Sequence, residues 1–133
     1  MTASEPLPPS NPDEGPVRLS LPAAPRFLAA ARVVATSLGA ESGLTVDDLD
    51  DLRLGVNELV SVLIESSEFG GRVELEFDSV GTSVTVRGRG TGASVPMQLD
   101  ELTARIVEAV ADDHRIDGTS FSLTKVSSLR EPS

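Results

Sequence analysis

At 133 residues the chain has the length of one domain with tails, and its 39% hydrophobic content supplies a core that four Phe and no Trp or Tyr leave to Leu, Val and Ala. A formal charge of −10 argues against nucleic acid and anionic membranes as partners, which would repel the chain, and leaves a basic protein surface as a compatible one. The lack of cysteine excludes a disulfide framework and thiolate chemistry, no apolar run reaches membrane-span length, and the start of the chain shows no secretory pattern, so the expected location is cytoplasmic.

Residues 1–16 are rich in Pro, Ser and acids and read as a disordered tail. Val17–Leu21 alternates apolar and polar residues and predicts a strand, which Pro22 ends. Pro25 opens a helix to Leu38, with Phe27, Ala31, Val34 and Leu38 on one face and Gly39 as its stop. Thr45 caps a second helix, and Asp47, Asp48, Asp50 and Asp51 sit near its positive end. That helix ends before Gly70-Gly71. Arg72–Asp78 and Thr82–Arg87 form a hairpin turned at Val80-Gly81-Thr82. A glycine loop, Gly88 to Gly92, follows. Leu99–Ala111 is a third helix with Leu99, Leu102, Ile106 and Val110 facing inward. His114, the one histidine, has no nearby nucleophile or second ligand and reads as a surface residue. Asp117-Gly118 turns the chain into a last strand, Thr119–Val126, and residues 127–133 are a tail. One folded unit over 17–126 results, an α+β two-layer sandwich with helices on one face of the sheet.

The second helix is the most informative segment. At about 100° per residue, Leu49, Leu52, Val56, Leu59, Val60 and Leu63 share a core-facing side. Leu54, Glu58 and Glu65 fall roughly opposite, with Val62 at the margin. A plain surface helix is polar there. One with Leu54 and Val62 either side of Glu58 is covered on that side too, or lines a cleft.

Asp51-Leu52-Arg53-Leu54-Gly55-Val56-Asn57-Glu58, continuing to Val62-Leu63, resembles the N-box helix of the anti-sigma-factor serine kinases. Their domain is the GHKL, or Bergerat-fold, ATPase domain, shared with gyrase B and sensor histidine kinases. The resemblance implies a mixed, mostly antiparallel sheet. It implies that Glu58 is the general base, and that Val62 stands where the family has its magnesium-holding asparagine. Asn57 lies about a third of a turn away and does not replace it. The family's D-x-G-x-G box aligns with Gly88-Arg89-Gly90-Thr91-Gly92, which keeps Gly90 and Gly92 and puts Gly88 where an aspartate would read adenine. Thr119, in Gly118-Thr119-Ser120, aligns with a threonine near the nucleotide. The lid and second glycine box have no clear counterpart. Each of these residues also has a plain structural reading: a solvated helix carboxylate at Glu58, a loop without ligand at Gly88 to Gly92, a turn at Gly118-Thr119.

The resemblance therefore implies an anti-sigma regulatory factor that sequesters an RNA polymerase sigma factor. An anti-anti-sigma antagonist would release it, and a homodimer is possible. With Val62 and Gly88 at the ligand-reading positions, no cofactor is expected and the ATP site is degenerate. The alternatives are an active serine kinase of the antagonist, using ATP and magnesium with Glu58 as base, and a non-catalytic scaffold of the same fold.

Overall fold

The computed structural model describes residues 15–92 and 95–129. The expected tail over 1–16 falls outside them but for its last two residues, and so do residues 130–133. In chain order the elements are β1 (Val17–Pro22), α1 (Leu28–Glu41), α2 (Val46–Glu65), β2 (Arg72–Val80), β3 (Ser83–Thr91), α3 (Glu101–Val110), β4 (Asp113–Asp117) and β5 (Ser120–Val126), with one 3-10 turn, Pro25–Phe27, leading into α1. The strands make one five-stranded sheet in the order β1-β2-β3-β5-β4.

The fold is α+β, as the element pattern predicts, with α1 and α2 packed on one face of the sheet. A mixed sheet was the expectation. Every pairing among the described strands is instead antiparallel. Short turns account for two of those pairings. Gly81, at φ +59°, turns β2 into β3, and Gly118, at φ +60°, turns β4 into β5.

Val73, Leu75 and Phe77 of β2, Val84 and Val86 of β3, and Phe121 and Leu123 of β5 point to the inner face. From above they meet Leu52, Val56, Leu59, Val60 and Leu63 of α2 and Ala31 and Ala35 of α1. Full burial of a Val, Leu or Phe side chain contributes about 1.5–3 kcal/mol, so this layer dominates stability. α2 begins with a capping box: the Asp48 N–H donates to the Thr45 hydroxyl at 3.1 Å, and the Thr45 N–H donates to the Asp48 carboxylate at 3.0 Å.

Several local expectations give way. Gly39 does not stop α1, which runs to Glu41. A Cβ there would lie 2.7 Å from Leu49 Cδ2 and 2.9 Å from Leu44 Cδ1, so glycine permits the close approach of α1 to the start of α2. Gly43, at φ +85°, makes the turn after the helix. α3 starts at Glu101 and turns Leu102 outward, 69% exposed, while Val107 and Val110 face in. Its C-terminal half reaches α2 at Gly55, where a Cβ would lie 3.4 Å from Val110 Cγ2. Gly88 and Gly90 lie within β3, not in a loop. β4 was not expected as a strand at all. His114 sits on it, half-buried and paired with Leu123.

Beyond β5 the chain stays attached. Ser127 is buried, its N–H donates to Thr82 O at 2.8 Å and its hydroxyl to Gly43 O at 3.1 Å. The N–H and hydroxyl of Ser128 donate to Asp48 at 2.9 and 3.0 Å. No helix among the described residues is long and apolar enough to cross a membrane.

Candidate functional site

Glu58 sits half-buried on α2, beside Asn57. The Arg32 guanidinium of α1 donates to Asn57 Oδ1 at 2.6 Å, and the Asn57 amide donates to Glu58 at 3.5 Å. Asn57 is thus committed to a bridge between two helices. Glu58 is at the exposed end of that bridge and keeps most of its acceptor capacity.

One turn on, Val62 packs partly against the core and lines a cleft of about 390 Å³ with Glu65, Ser66, Val95, Pro96 and Gln98. The strap over 95–98 closes one side of that cleft. The Val95 N–H donates to Ser66 O at 2.9 Å, at the end of α2, and the Met97 N–H donates to Gly118 O at 2.8 Å, in the β4–β5 turn. Between these anchors the Met97 side chain is buried in the core. The flexible thioether fills space under the strap.

Gly90 and Thr119 are neighbours: the Gly90 N–H donates to Thr119 O at 3.0 Å. That bond ties up an amide that a phosphate-cradling loop would leave free. Gly92 is outside the ladder, at φ +84°, with open space around it. Val62, Gly90, Gly92 and Thr119 therefore lie near one end of the sheet, linked through the strap.

Gly88 is different. It is buried in the middle of β3, paired with Leu75 on one side and Phe121 on the other. A Cβ at this position would lie 2.8 Å from Phe121 Cζ and 2.9 Å from Leu75 Cδ2. The Phe121 ring occupies the space a side chain would take. Nothing at position 88 can accept a hydrogen bond from an adenine amino group, and at position 62 an alkyl side chain offers a cation no oxygen. The residues present do not fit a magnesium–nucleotide complex of the kind the family resemblance implies.

Two charged residues, Asp48 at the start of α2 and Lys125, which the sequence did not single out, are the best-bound ones. Asp48 is 3% exposed. Burial opposes its ionisation, but hydrogen bonds from Ser128 and Thr45 outweigh it and lower its pKa to about 2. Lys125, on the inner face of β5, donates to Val110 O at 3.1 Å and to Asp51 at 3.3 Å, and lies 3.6 Å from Asp112. Both tie chain ends and turns to α2. The partners Ser128 and Asp51 lie 80 and 74 residues away along the sequence, which gives no local signal of either contact.

No model of a known protein family matches the chain, and no curated protein does.

Proposed function

We propose that the protein is a partner-binding regulator on a GHKL-like scaffold, of the anti-sigma type, that works without ATP. The observation carrying this reading is the packing at Gly88. The position aligned with the family's adenine-reading aspartate is filled from across the sheet by Phe121, with Val62 at the aligned magnesium position and Met97 under the strap. The N-box-like run on α2 and the two-layer α+β order support the scaffold. The partner would be a sigma factor, with an anti-anti-sigma protein competing for it. Loss of the adenine acceptor leaves a donor unpaired, at about 1–3 kcal/mol, and loss of a metal oxygen adds to it. Together they predict nucleotide affinity on the order of a hundredfold or more below that of an intact site.

Two measurements test the reading separately. Calorimetric titration with Mg-ATP and Mg-ADP is expected to give no low-micromolar binding. Such binding would instead favour the kinase reading. A pull-down from host lysate without nucleotide is expected to recover a sigma factor or its antagonist, and recovery of neither removes the regulatory reading.

A further inference from the structure

The sheet has a second face, which none of the helices covers. Its side chains alternate with the core residues along each strand. Two cross-strand rows follow from the register. One runs Arg18, Glu76, Arg87, Ser122, Arg115, and the next Ser20, Glu74, Arg89, Ser120, Asp117. They floor a trough of about 590 Å³ that crosses all five strands. In a chain of net charge −10 this floor carries four arginines against three acids.

The charges are unevenly satisfied. Glu76 is engaged by Arg18 at 3.3 Å and by Arg87 at 3.7 Å. Arg89 and Arg115 are exposed and have no ion-pair partner among the described residues. They stand two strands and one row apart, about 12 Å at the spacings of a sheet, with the hydroxyls of Ser120 and Ser122 between them on β5. Glu74 lines the same trough, and one of its carboxylate oxygens is buried without a hydrogen-bond partner among the described residues.

We infer that this trough is a docking site for an acidic, extended peptide segment of a protein partner. Arg89 and Arg115 would take its carboxylates, with the Ser120 and Ser122 hydroxyls beside them. The free guanidinium groups select carboxylate, for which their planar donor forks are suited. The unpartnered Glu74 oxygen selects an occupant that also brings N–H donors, which a peptide does and a simple anion does not. The trough spans five strands, about 19 Å at the spacing of a sheet, which is the length of about six residues of an extended chain. The inference does not rest on the anti-sigma reading.

The test is NMR titration of the ¹⁵N-labelled full chain with a peptide of five Glu-Ser repeats, at about 50 and 300 mM salt. Saturable shifts are expected at Arg87 to Arg89, Arg115 to Asp117 and Ser120 to Ser122. Affinity should fall several-fold at the higher salt. The double variant R89E/R115E should lose at least tenfold in affinity while keeping the dispersed spectrum of a folded chain. Three outcomes overturn the proposal. One is shifts confined to the helical layer, or none at millimolar peptide. Another is an equal response to inorganic phosphate, which would make the site one for any anion. The last is the same shifts appearing with protein concentration alone, which would assign the face to a second copy of the chain.

Discussion

On the inner face of the sheet, Val73, Leu75, Phe77, Val84 and Val86 lie under two helices with almost no exposed surface. One residue along each strand, on the outer face, Glu74, Glu76, Thr85, Arg87 and Arg89 meet no other layer. The same backbone carries both sets. The inner face is specified by volume and tolerates little change. The outer face is specified by charge, and its arginines balance acids locally while the excess of acid lies elsewhere, most densely at Asp47, Asp48, Asp50 and Asp51. Fold information is concentrated on one face, and the freedom to evolve a binding surface on the other.

The largest expected effect breaks the inner face. Leu63 has no exposed surface, and Leu63→Ala should cost about 2–5 kcal/mol in urea unfolding. A loss below 1 kcal/mol would mean that the helical layer relaxes freely over the sheet. Gly88→Ala tests the same layer from the opposite direction. The added methyl meets Phe121 and Leu75, and overpacking of this kind costs about 1–3 kcal/mol. The double variant Gly88→Ala, Phe121→Leu should recover part of that loss. No recovery would show that Phe121 is not the obstacle.

Asp48→Asn probes the charge that does hold structure. The amide oxygen can still accept from Thr45 and Ser128, since their bonds all end on one carboxylate oxygen, but without the negative charge that strengthens them, and about 1–2 kcal/mol should be lost. The pH dependence gives the sharper readout. The folded-state pKa, about 2, is below the ordinary 3.8, so the stabilisation is complete above pH 3.8 and is lost as pH falls through about 2. The wild type should therefore show a stability slope between those values that the variant lacks. An unchanged slope would assign the acid sensitivity to other carboxylates.

How far these features could be read in the sequence follows the same division. The apolar stripe of α2 was legible because its contacts repeat at helical spacing, and the β2–β3 hairpin because its alternation and turn are local. β4 was not: Asp113–Asp117 offers one inward apolar residue, Ile116, too little for a period-2 signal. Gly88 and Gly90 looked like a loop because glycine is a turn former, whereas here Gly88 yields space to Phe121 from 33 positions away. The role of Ser127 and Ser128 depends on partners at Gly43 and Asp48, and no local pattern announces such pairings. The packing of Phe121 against Gly88 and the burial of Met97 under the strap were not legible either, because both depend on residues distant in sequence.

Glu58→Ala should cost less than about 1 kcal/mol, because the side chain is half-buried and holds one long hydrogen bond at the edge of the Arg32–Asn57 bridge. Asn57→Ala should cost more, since it removes the 2.6 Å bond that joins α1 to α2. The reverse order would mean that Glu58 anchors the bridge.

The smallest effect is expected on the outer face. The side chain of Arg18 is 76% exposed and that of Glu76 34%, at 3.3 Å. A pair in that setting gains little Coulomb energy in water and gives up side-chain entropy, so a double-mutant cycle with Arg18→Ala and Glu76→Ala should yield a coupling of about 0.2–1 kcal/mol, smaller still at high salt. Arg87 shares the same carboxylate at 3.7 Å and takes over part of the interaction when Arg18 is removed. The single Arg18→Ala change should thus be nearer neutral than the coupling itself, and Arg87→Ala likewise. A coupling above 2 kcal/mol, insensitive to salt, would mean that Glu76 is shielded from solvent. The outer face would then be covered in solution, and the contrast between the two faces would fail.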